Sequence, residues 1–322
     1  MNNDKAQLDN ILRPEKWEEY IGQEKIKRNL EILLSAAKNR NQSPEHILFY
    51  GPPGLGKTTL SYLIAKHINS NIKITSGPAI EKVGDLASIL SNLNNGDILF
   101  IDEIHQLNRN IEEILYPAME NGTLDIIVGK GPSARTVQLD LPSFTLIAAT
   151  TKFSGISSPL RSRFSGGVFR LEYYTEEELS KIIENSAKKL GFEIEKEAAF
   201  EISKRSRFTP RTANYFLKRS RDLSELRKNK IVSIEDVNET LNLIGIDNAG
   251  LNELDRKILK TIIDKYQNGP VGLTTIASSI GEEPSTIEEV NEPYLLQLGF
   301  IKKTPRGREV TEKAIEHINS LD

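Results

Sequence analysis

One stretch of this chain constrains its fold more than any other. Residues Gly51-Pro-Pro-Gly-Leu-Gly-Lys57-Thr58-Thr59 fit the pattern G-x-x-x-x-G-K-[ST]. A short apolar run, His46 to Tyr50, precedes this loop, and apolar residues recur at helical spacing from Leu60 to Ile68. A strand, a glycine loop and a helix in this order direct backbone N–H groups and a helix N-terminus at an anion. The pattern therefore predicts a loop that cradles nucleotide phosphates, whereas a plain glycine-rich turn would leave the Lys-Thr-Thr unexplained.

The composition bounds the class of protein. A length of 322 residues predicts two or three domains, and 38% hydrophobic with 27% charged residues is typical of a globular chain. We expect no signal peptide and no membrane span, because no apolar run reaches the roughly 18 residues that a span needs. The absence of cysteine excludes disulfides and favours a cytoplasmic protein. With a net charge of −3, any contact with nucleic acid requires a local basic patch.

A second stretch, Asp97 to Glu103, is an apolar run that ends in two carboxylates. Such runs are typical of buried parallel strands, whose carboxyl ends line the ligand crevice of open α/β sheets. We expect Asp102 to hold Mg²⁺ together with the Thr58 hydroxyl. Glu103 is predicted to act as general base on the attacking water. Without the phosphate loop, an acidic pair at a solvated strand end would be the simpler interpretation.

Two further segments extend the predicted site. Phe144 to Thr151 is another apolar run, and its terminal hydroxyls suit hydrogen bonds to the γ-phosphate or the attacking water. Arg161 and Arg163 follow shortly after it. Their spacing leaves two interpretations open, a solvated loop or an arginine that reaches the active site of a neighbouring subunit. An arginine supplied in trans is worth about 10³–10⁵ in rate.

Arg211 is the last candidate for the phosphate site. It lies in the first turn of a predicted helix, with Thr209 as the cap and Pro210 at the first helical position. The helix macrodipole disfavours a cation there, so an anionic partner such as bound phosphate is expected. The other basic residues nearby are interpreted as a solvated helix face.

The rest of the chain predicts two smaller domains. Residues 175–246 read as a helical domain, with helices over 176–190, 197–204 and 210–228 and a capping box at Ser233 before a last one. Residues 247–322 alternate helices and turns and end in a hairpin, the pattern of a winged helix. One of these helices is expected from Ser285 to Leu298, and the hairpin strands are expected at 300–301 and 309–311. With residues 1–174 as a parallel-sheet domain, the predicted fold class is α/β followed by a helical and a winged-helix domain.

The hairpin of the winged helix is basic. Its turn is Thr304 to Gly307, and the basic residues in or beside this turn are Lys302, Lys303, Arg306 and Arg308. Basic side chains without aromatic or amide residues suit contacts with DNA phosphates and little sequence preference. We predict Lys303, Arg306 and Arg308 as DNA-binding residues; a solvated hairpin is the alternative.

A second hairpin is predicted inside the first domain. Residues 124–128 and 135–139 alternate in polarity around Gly129-Lys-Gly-Pro132. In one interpretation Ile126 or Ile127 is exposed on this hairpin. In the alternative interpretation both isoleucines lie in the core.

Five stretches of the chain resemble AAA+ ATPases, and more narrowly the RuvB family of bacterial Holliday junction branch-migration motors. They are Leu12–Gln23, Gly51–Thr59, Leu99–His105, Ile127–Arg135 and Lys302–Arg308. Many AAA+ proteins share the ATP-site motifs, whereas Gly-Lys-Gly-Pro-Ser-Ala-Arg and Thr-Pro-Arg-Gly-Arg are far more specific. The resemblance covers nearly the whole chain.

The resemblance implies a role for individual residues, with ATP/ADP and Mg²⁺ as cofactors and the small domain as a lid. Thr151 matches the sensor beside the phosphates, and Arg163 matches the arginine that acts on the adjacent subunit, with Arg161 as the fallback. Implied catalytic residues are Lys57, Asp102, Glu103, Thr151 and Arg163, with Thr58 and Asp102 at the metal. Implied nucleotide contacts are Leu12, Arg13, Tyr20, Ile21, Gly54, Gly56, Lys57, Thr58, Thr59, Tyr174 and Arg211.

Three departures from the family pattern affect peripheral contacts. Asn121-Gly122 replaces an acidic-aromatic pair, and Phe208 replaces a usual glycine. Ser165-Gly166-Gly167 contains one glycine more than is common, so the register up to Tyr174 is ambiguous by one residue. Tyr173 is therefore the alternative nucleotide contact.

The resemblance implies an ATP-driven DNA helicase that migrates four-way junctions as a homo-hexameric ring. A RuvA-type junction-binding protein would dock on the hairpin at 124–139, with a junction resolvase as a further candidate partner. Two other classes remain open: a clamp-loader or initiator AAA+ ATPase, and a non-enzymatic ATP-dependent DNA-binding switch.

Overall fold

The computed structural model describes residues 11–128 and 135–321, without the side chains of 126–128 and 136. The described chain forms two compact units. The first runs to Leu190 and also contains Thr209–Arg211, and the second comprises Gly191–Phe208 and the residues from Thr212 onwards. The division into three domains at 174 and 246 stays a prediction.

The first unit is built on a five-stranded parallel sheet. Its strands and the hairpin are β1 (Ile47–Tyr50), β2 (Ile72–Ser76), β3 (Asp97–Asp102), β4 (Thr123–Val128), β5 (Arg135–Asp140), β6 (Phe144–Thr150) and β7 (Gly167–Arg170). The sheet order is β2-β3-β6-β1-β7, all parallel, while β4 and β5 pair separately and antiparallel. This arrangement confirms the predicted parallel-sheet fold. It brings the carboxyl ends of β1, β6 and β3 to one edge, where ligands bind in open α/β sheets.

Helices cover the sheet. They are α1 (Glu24–Asn39), α2 (Lys57–His67), α3 (Val83–Ser91), α4 (Arg109–Asn121), α5 (Ser158–Arg161) and α6 (Glu176–Lys189). Sheet residues such as Leu99 and Leu146 are fully buried and pack in one core with Leu86 of α3 and Leu115 of α4. Because β1, β3 and β6 are buried along nearly their whole length, their sequences are continuous apolar runs rather than alternating ones.

Two departures from the family pattern have local explanations in the backbone. Gly122 ends α4 in the left-handed conformation, with φ of 66°. Gly166 passes so close to the chain before β1 that a Cβ would lie 2.7 Å from the Glu45 carbonyl oxygen. Gly167 has φ of 123°, and a Cβ there would clash with the Phe169 ring. Both glycines of Ser165-Gly166-Gly167 are therefore required by the path of this chain into β7.

The predicted hairpin forms between β4 and β5, and its register runs from Thr123 opposite Asp140 to Val128 opposite Arg135. Leu124 is buried, whereas Val137 and Leu139 are exposed. The turn at 129–134 and the side chains of Ile126 and Ile127 lie outside the described residues. The docking role of this hairpin stays a prediction.

The second unit is mostly helical. Its elements are β8 (Glu193–Ile194), α7 (Lys196–Arg205), α8 (Pro210–Leu226), β9 (Ile231–Val232), α9 (Ile234–Leu243), α10 (Glu253–Tyr266), α11 (Leu273–Ile280), α12 (Pro284–Thr286), a π-turn (Ile287–Asn291), α13 (Glu292–Gln297), β10 (Ile301–Thr304), β11 (Gly307–Val310) and α14 (Glu312–Asn319). The predicted capping box is present, because the Ser233 hydroxyl accepts from the backbone N–H of Asp236 and the Asp236 carboxylate accepts from that of Ser233. Helices α10 to α13 and the hairpin β10–β11 confirm the winged-helix pattern.

The winged helix differs from its sequence prediction in two places. The helix expected from Ser285 to Leu298 is interrupted by the π-turn, which inserts one extra residue per turn without breaking the apolar pattern. The wing strands are longer than expected, and Thr304 pairs with Gly307. No helix in the described residues is long and apolar enough to cross a membrane.

Candidate nucleotide site

At three positions, the loop between β1 and α2 has a backbone conformation that favours glycine. Gly51, Gly54 and Gly56 have φ of 138°, 82° and 97°. A Cβ on Gly51 would lie 2.7 Å from the Leu171 carbonyl oxygen, and one on Gly54 would lie 3.0 Å from Arg211 Cβ. The glycines therefore allow the chain to curl tightly over the N-terminus of α2.

Lys57 provides the positive charge of this loop. Its side chain is 7% exposed, and Nζ donates to the carbonyl oxygens of Gly51 at 2.8 Å and Pro52 at 2.9 Å. Burial lowers the pKa of the Lys57 ammonium from its ordinary value. In the part of the chain that the structure describes, the ammonium donates to neutral carbonyl oxygens, and the nearby Glu103 and Asp102 carboxylates oppose the lowering of its pKa. A phosphate oxygen is a stronger acceptor than a carbonyl. With Thr58 and Thr59 in the first turn of α2, the loop fits a nucleoside triphosphate.

The acidic pair lies at the same edge of the sheet. Asp102 is the last residue of β3, and Glu103 follows in the left-handed conformation with φ of 47°. Burial raises the pKa of the Asp102 carboxyl, and the neighbouring Glu103 carboxylate raises it further. A buried carboxyl whose pKa is raised by a neighbouring carboxylate favours a cation as partner, and oxygen ligands are those that Mg²⁺ prefers. The donor set at Asp102 and Thr58 therefore fits Mg²⁺.

Glu103 is oriented by the neighbouring strand. The backbone N–H and the hydroxyl of Thr151 both donate to Glu103 Oε2 at 3.0 Å. His105 Nδ1 lies 3.2 Å from the same oxygen and 2.9 Å from Thr150 Oγ1. The structure thus joins the predicted general base to the predicted sensor. His105 was visible in the sequence only as a histidine two residues after the acidic pair, and its contact with Thr150 depends on the sheet order.

Two tyrosines, Tyr20 and Tyr174, pack against the phosphate loop. The Tyr174 hydroxyl donates to Tyr20 Oη at 3.1 Å and contacts the Leu55 carbonyl oxygen at 3.3 Å. Burial raises the pKa of Tyr20 well above its usual value and that of Tyr174 to about 12. A Cβ on Gly56 would lie 3.0 Å from Tyr20 Oη. The structure therefore places Tyr174, rather than Tyr173, against the loop; its contact with nucleotide stays a prediction.

The N-terminal residues approach the same helix from outside. The Arg13 guanidinium lies 4.3 Å from the centre of the Tyr62 ring on α2. Lys189 of α6 donates to the Arg13 carbonyl oxygen at 2.8 Å. Leu12 and Ile21 are partly buried. The predicted contacts of Leu12, Arg13 and Ile21 with nucleotide are therefore sterically reasonable and stay predictions.

Arg211 belongs to the first unit together with the phosphate loop. Its backbone N–H donates to the Gly54 carbonyl oxygen at 3.4 Å. The Arg211 charge contributes to lowering the pKa of Lys57 and opposes the rise at Asp102. These contacts place Arg211 beside the phosphate loop, and its contact with nucleotide stays a prediction.

Arg163 rests on α4. Its Nη1 donates to the Pro159 carbonyl oxygen at 2.6 Å, and its Nη2 lies 3.2 Å from Glu120 Oε1. The guanidinium stacks on Tyr116 at 4.3 Å from the ring centre, and its Nε is buried without a hydrogen-bond partner in the described residues. Arg161 lies over a different aromatic ring. Sequence reasoning missed Tyr116, because this contact depends on how α5 folds back on α4.

The basic hairpin of the second unit, which we call the wing (Ile301–Val310), is partly neutralised by an acidic residue. Arg308 Nε and Nη2 lie 3.0 and 2.8 Å from Glu292 Oε2, and Lys303 Nζ lies 3.1 Å from Glu292 Oε1. Glu292 is 3% exposed. Arg306 lies exposed at the turn. The predicted DNA contacts stay predictions, and Arg308 also has a structural partner that spacing did not reveal.

The chain matches three family models in succession. Residues 12–171 match the Holliday junction DNA helicase RuvB P-loop domain, residues 174–247 the RuvB AAA lid domain, and residues 248–319 the RuvB C-terminal winged helix domain. The chain belongs to the RuvB family. The matches also confirm the fold class: a P-loop AAA+ domain, a helical lid and a winged helix.

This chain is similar to other members of the RuvB family along nearly its whole length. The Holliday junction branch migration complex subunit RuvB of Dehalococcoides mccartyi (strain CBDB1) is 54% identical over 316 residues, which cover 98% of this chain and 90% of that protein. The solved structure of the Thermotoga maritima RuvB Holliday junction branch migration motor is 48% identical, with a TM-score of 0.86, covering 96% of this chain and 98% of the other. A variant of the same protein gives 49% identity over 96% of this chain and 98% of the other, with a TM-score of 0.87.

Proposed function

We propose that this chain is the ATP-driven motor that migrates Holliday junctions in recombination and DNA repair. The family membership supports the activity, and one observation in the site carries it. The phosphate loop, the acidic pair at the end of β3 and the Thr151 sensor meet at one edge of the sheet, with Thr151 donating twice to Glu103. This is the constellation that nucleotide hydrolysis needs.

The residues of this chain divide the chemical work. Lys57 and the N-terminus of α2 bind the phosphates of ATP, and Gly54 and Gly56 let the backbone approach them. Thr58 and Asp102 would hold Mg²⁺, which neutralises phosphate charge when it is bound. Glu103 accepts a proton from the attacking water, and Thr151 orients the Glu103 carboxylate for that transfer. Tyr20, Tyr174 and Arg211 border the site.

The site is completed by a second copy of the chain. Arg163 packs against Tyr116 and Glu120 of α4, and among the described residues its Nε has no hydrogen-bond partner. In the proposed homo-hexameric ring, Arg163 reaches the γ-phosphate bound by the adjacent subunit and stabilises the charge that develops during hydrolysis.

The DNA and protein partners follow from the second unit and from the hairpin. Lys303, Arg306 and Arg308 contact the phosphates of duplex arms at a four-way junction. A RuvA-type junction-binding protein docks on the hairpin β4–β5, whose Val137 and Leu139 are exposed. A junction resolvase joins this complex. The cytoplasm, where bacterial DNA lies, is the proposed location.

A junction-dissociation assay tests the proposal. A synthetic four-way junction, a RuvA-type protein and this chain are mixed with ATP or ADP, in parallel with Lys57→Ala. We expect dissociation into duplexes with ATP and the unaltered chain only. Dissociation that is independent of ATP, or none with ATP, would contradict the motor.

Junction dissociation and the affinity for junction DNA together separate the remaining alternatives. A clamp-loader or initiator ATPase would hydrolyse ATP without moving the junction. A sequence-reading switch would lose affinity when the arm sequences are scrambled, whereas phosphate contacts predict equal affinity for unrelated arms.

A further inference from the structure

Two consecutive residues with a left-handed backbone precede the helix that carries Arg211. Arg207 has φ of 53° and Phe208 has φ of 56°. Residues other than glycine rarely adopt this conformation, and a bulky side chain does so only where its surroundings enforce it. The surroundings lie in the winged helix of the same unit. Phe208 and Tyr294 have ring centres 5.7 Å apart, and the Arg207 guanidinium lies 5.0 Å from the Tyr294 ring centre.

Arg207 begins a buried polar chain. Its Nη2 donates to Asp255 Oδ2, and Asp255 Oδ1 accepts from Asn291 Nδ2 at 2.7 Å. Asp255 and Asn291 are both fully buried. A buried carboxylate is stable only when its partners are in place, so the positions of Arg207 and Asn291 depend on each other through Asp255.

The polar chain continues to the wing. Asn291 is the last residue of the π-turn, and Glu292 follows it directly. Glu292 in turn binds Lys303 and Arg308, the two wing cations described above. Lys303 is 53% exposed, so DNA phosphates can compete with Glu292 for it. We call Arg207, Asp255, Asn291 and Glu292 the relay.

We propose that the relay couples DNA on the wing to nucleotide in the phosphate site. A phosphate that takes Lys303 from Glu292 removes part of the charge that holds the end of the π-turn. The change passes through Asn291 and Asp255 to Arg207, which lies four residues before Arg211 in the chain. Arg211 contacts the phosphate loop within the first unit, so the segment 207–211 connects the two sites covalently. This inference rests on the proposed function, because it takes DNA and nucleotide as the ligands.

A coupling role and a purely structural role predict different results. The Asp255 carboxylate also caps α10, so any change in the relay is expected to alter stability. Only coupling makes the affinity for nucleotide depend on DNA. By thermodynamic linkage, DNA changes nucleotide affinity by the same factor by which nucleotide changes DNA affinity.

The test measures the dissociation constant for a fluorescent ADP analogue with and without saturating duplex DNA, on the full chain. We expect DNA to change this constant by roughly fivefold or more in the unaltered chain. Asn291→Leu, which removes the link between Asp255 and the π-turn, should reduce the change to less than about twofold. Arg207→Lys keeps a positive partner for Asp255 but loses the planar fork, and it should give the same loss if Asn291→Leu does not fold.

Asn238→Leu is the matched control. The Asn238 side chain accepts a hydrogen bond from Arg205 at 2.9 Å in the same unit, outside the relay. It should lose stability and retain the response to DNA. The relay is overturned if the unaltered chain shows no response, if the folded relay variants keep it, or if Asn238→Leu loses it equally. Because this readout needs no hydrolysis, a failed junction assay with an intact ADP response would reject the motor and leave the relay standing.

Discussion

The phosphate loop and the wing both present cations to phosphate, but they hold these cations differently at rest. Lys57 is buried and bound by two neutral carbonyl oxygens. Arg308 and Lys303 are bound by the buried carboxylate of Glu292. A phosphate that enters the loop replaces neutral hydrogen-bond acceptors of Lys57, whereas DNA at the wing has to replace a carboxylate that is paired directly with the cations.

This difference matches the two tasks. A nucleotide site has to bind its ligand firmly through a complete cycle, and a cation held by carbonyl oxygens favours that. A translocating wing has to release DNA repeatedly, and an internal carboxylate lowers the free energy gained from each phosphate contact. We expect nucleotide affinity to depend on single residues and DNA affinity to be shared and sensitive to salt.

Replacing Lys57 tests the first half of the comparison and has the largest expected effect. Lys57→Ala removes the charge that binds the phosphates and should lower the ATPase rate by about 100-fold or more. Steady-state phosphate release measures this. Lys66→Ala, an exposed lysine on the same helix, is the matched control and should be close to the unaltered chain. Full hydrolysis by Lys57→Ala would exclude the loop as the site.

The wing cations test the second half. Lys303→Ala and Arg306→Ala should each reduce the slope of log affinity against log salt by about 1, because each removes one phosphate contact. Titration of fluorescent duplexes over a range of salt concentrations measures the slope. The loss should be equal for unrelated DNA sequences. An unchanged slope in both variants would remove the wing from the DNA interface.

Glu292→Gln also tests the wing, but this substitution should increase the affinity for DNA. The amide keeps the shape but removes the charge that competes with DNA, so affinity for duplex DNA at low salt should rise several-fold. The salt slope should become steeper, because among the described residues Arg308 loses its carboxylate partner and Lys303 keeps only Glu288, whose Oε1 lies 3.7 Å from its Nζ. Unfolding temperatures of both proteins control for lost packing around Arg308. A fall in affinity of the folded variant would contradict the competition between Glu292 and DNA.

Asp102→Asn should give the smallest effect. Burial raises the pKa of Asp102, so the folded chain holds this proton more tightly than the unfolded chain does, and folding is opposed increasingly as the pH rises from the ordinary carboxyl pKa through the raised one. Stability from this group is therefore present at low pH and lost as the pH rises. Without nucleotide and Mg²⁺, the variant should be more stable than the unaltered chain by on the order of 1 kcal/mol at neutral pH.

Thermal unfolding at a series of pH values from the ordinary carboxyl pKa of about 3.9 up to neutral pH measures this. The difference should grow as the pH rises from the ordinary pKa through the raised one and then level off. Asp140→Asn, at an exposed position on β5, is the control and should show no such trend. A difference that shrinks as the pH rises would contradict the sign assigned to Asp102.

Local sequence predicted much of the fold but not the partners of the key side chains. The buried strands, the glycine loop and the Ser233 capping box depend on neighbouring residues, so their patterns are visible in the sequence. The contact of Glu292 with Arg308 and that of Arg163 with Tyr116 join residues far apart in the chain. Such contacts depend on tertiary packing, which hydrophobic periodicity does not encode.

The sequence did not predict the π-turn either. It lies between short helical segments, and the apolar spacing from Ser285 to Leu298 predicted an unbroken helix. At the end of the π-turn, Asn291 contacts Asp255 and Glu292 contacts the wing. Both contacts follow from the winged-helix core and could not be read from spacing.

We propose that each ATP site is shared between two copies of the chain, with Glu103 from one copy and Arg163 from the next. Mixing Arg163→Ala with Glu103→Gln subunits tests it most directly. Each variant alone should be almost inactive, since a trans arginine is worth about 10³–10⁵ in rate. In the mixture, sites that combine an intact Glu103 with an intact Arg163 should regain ATP hydrolysis, whereas Arg161→Ala should need no such rescue. A mixture as inactive as its two components would contradict the shared site.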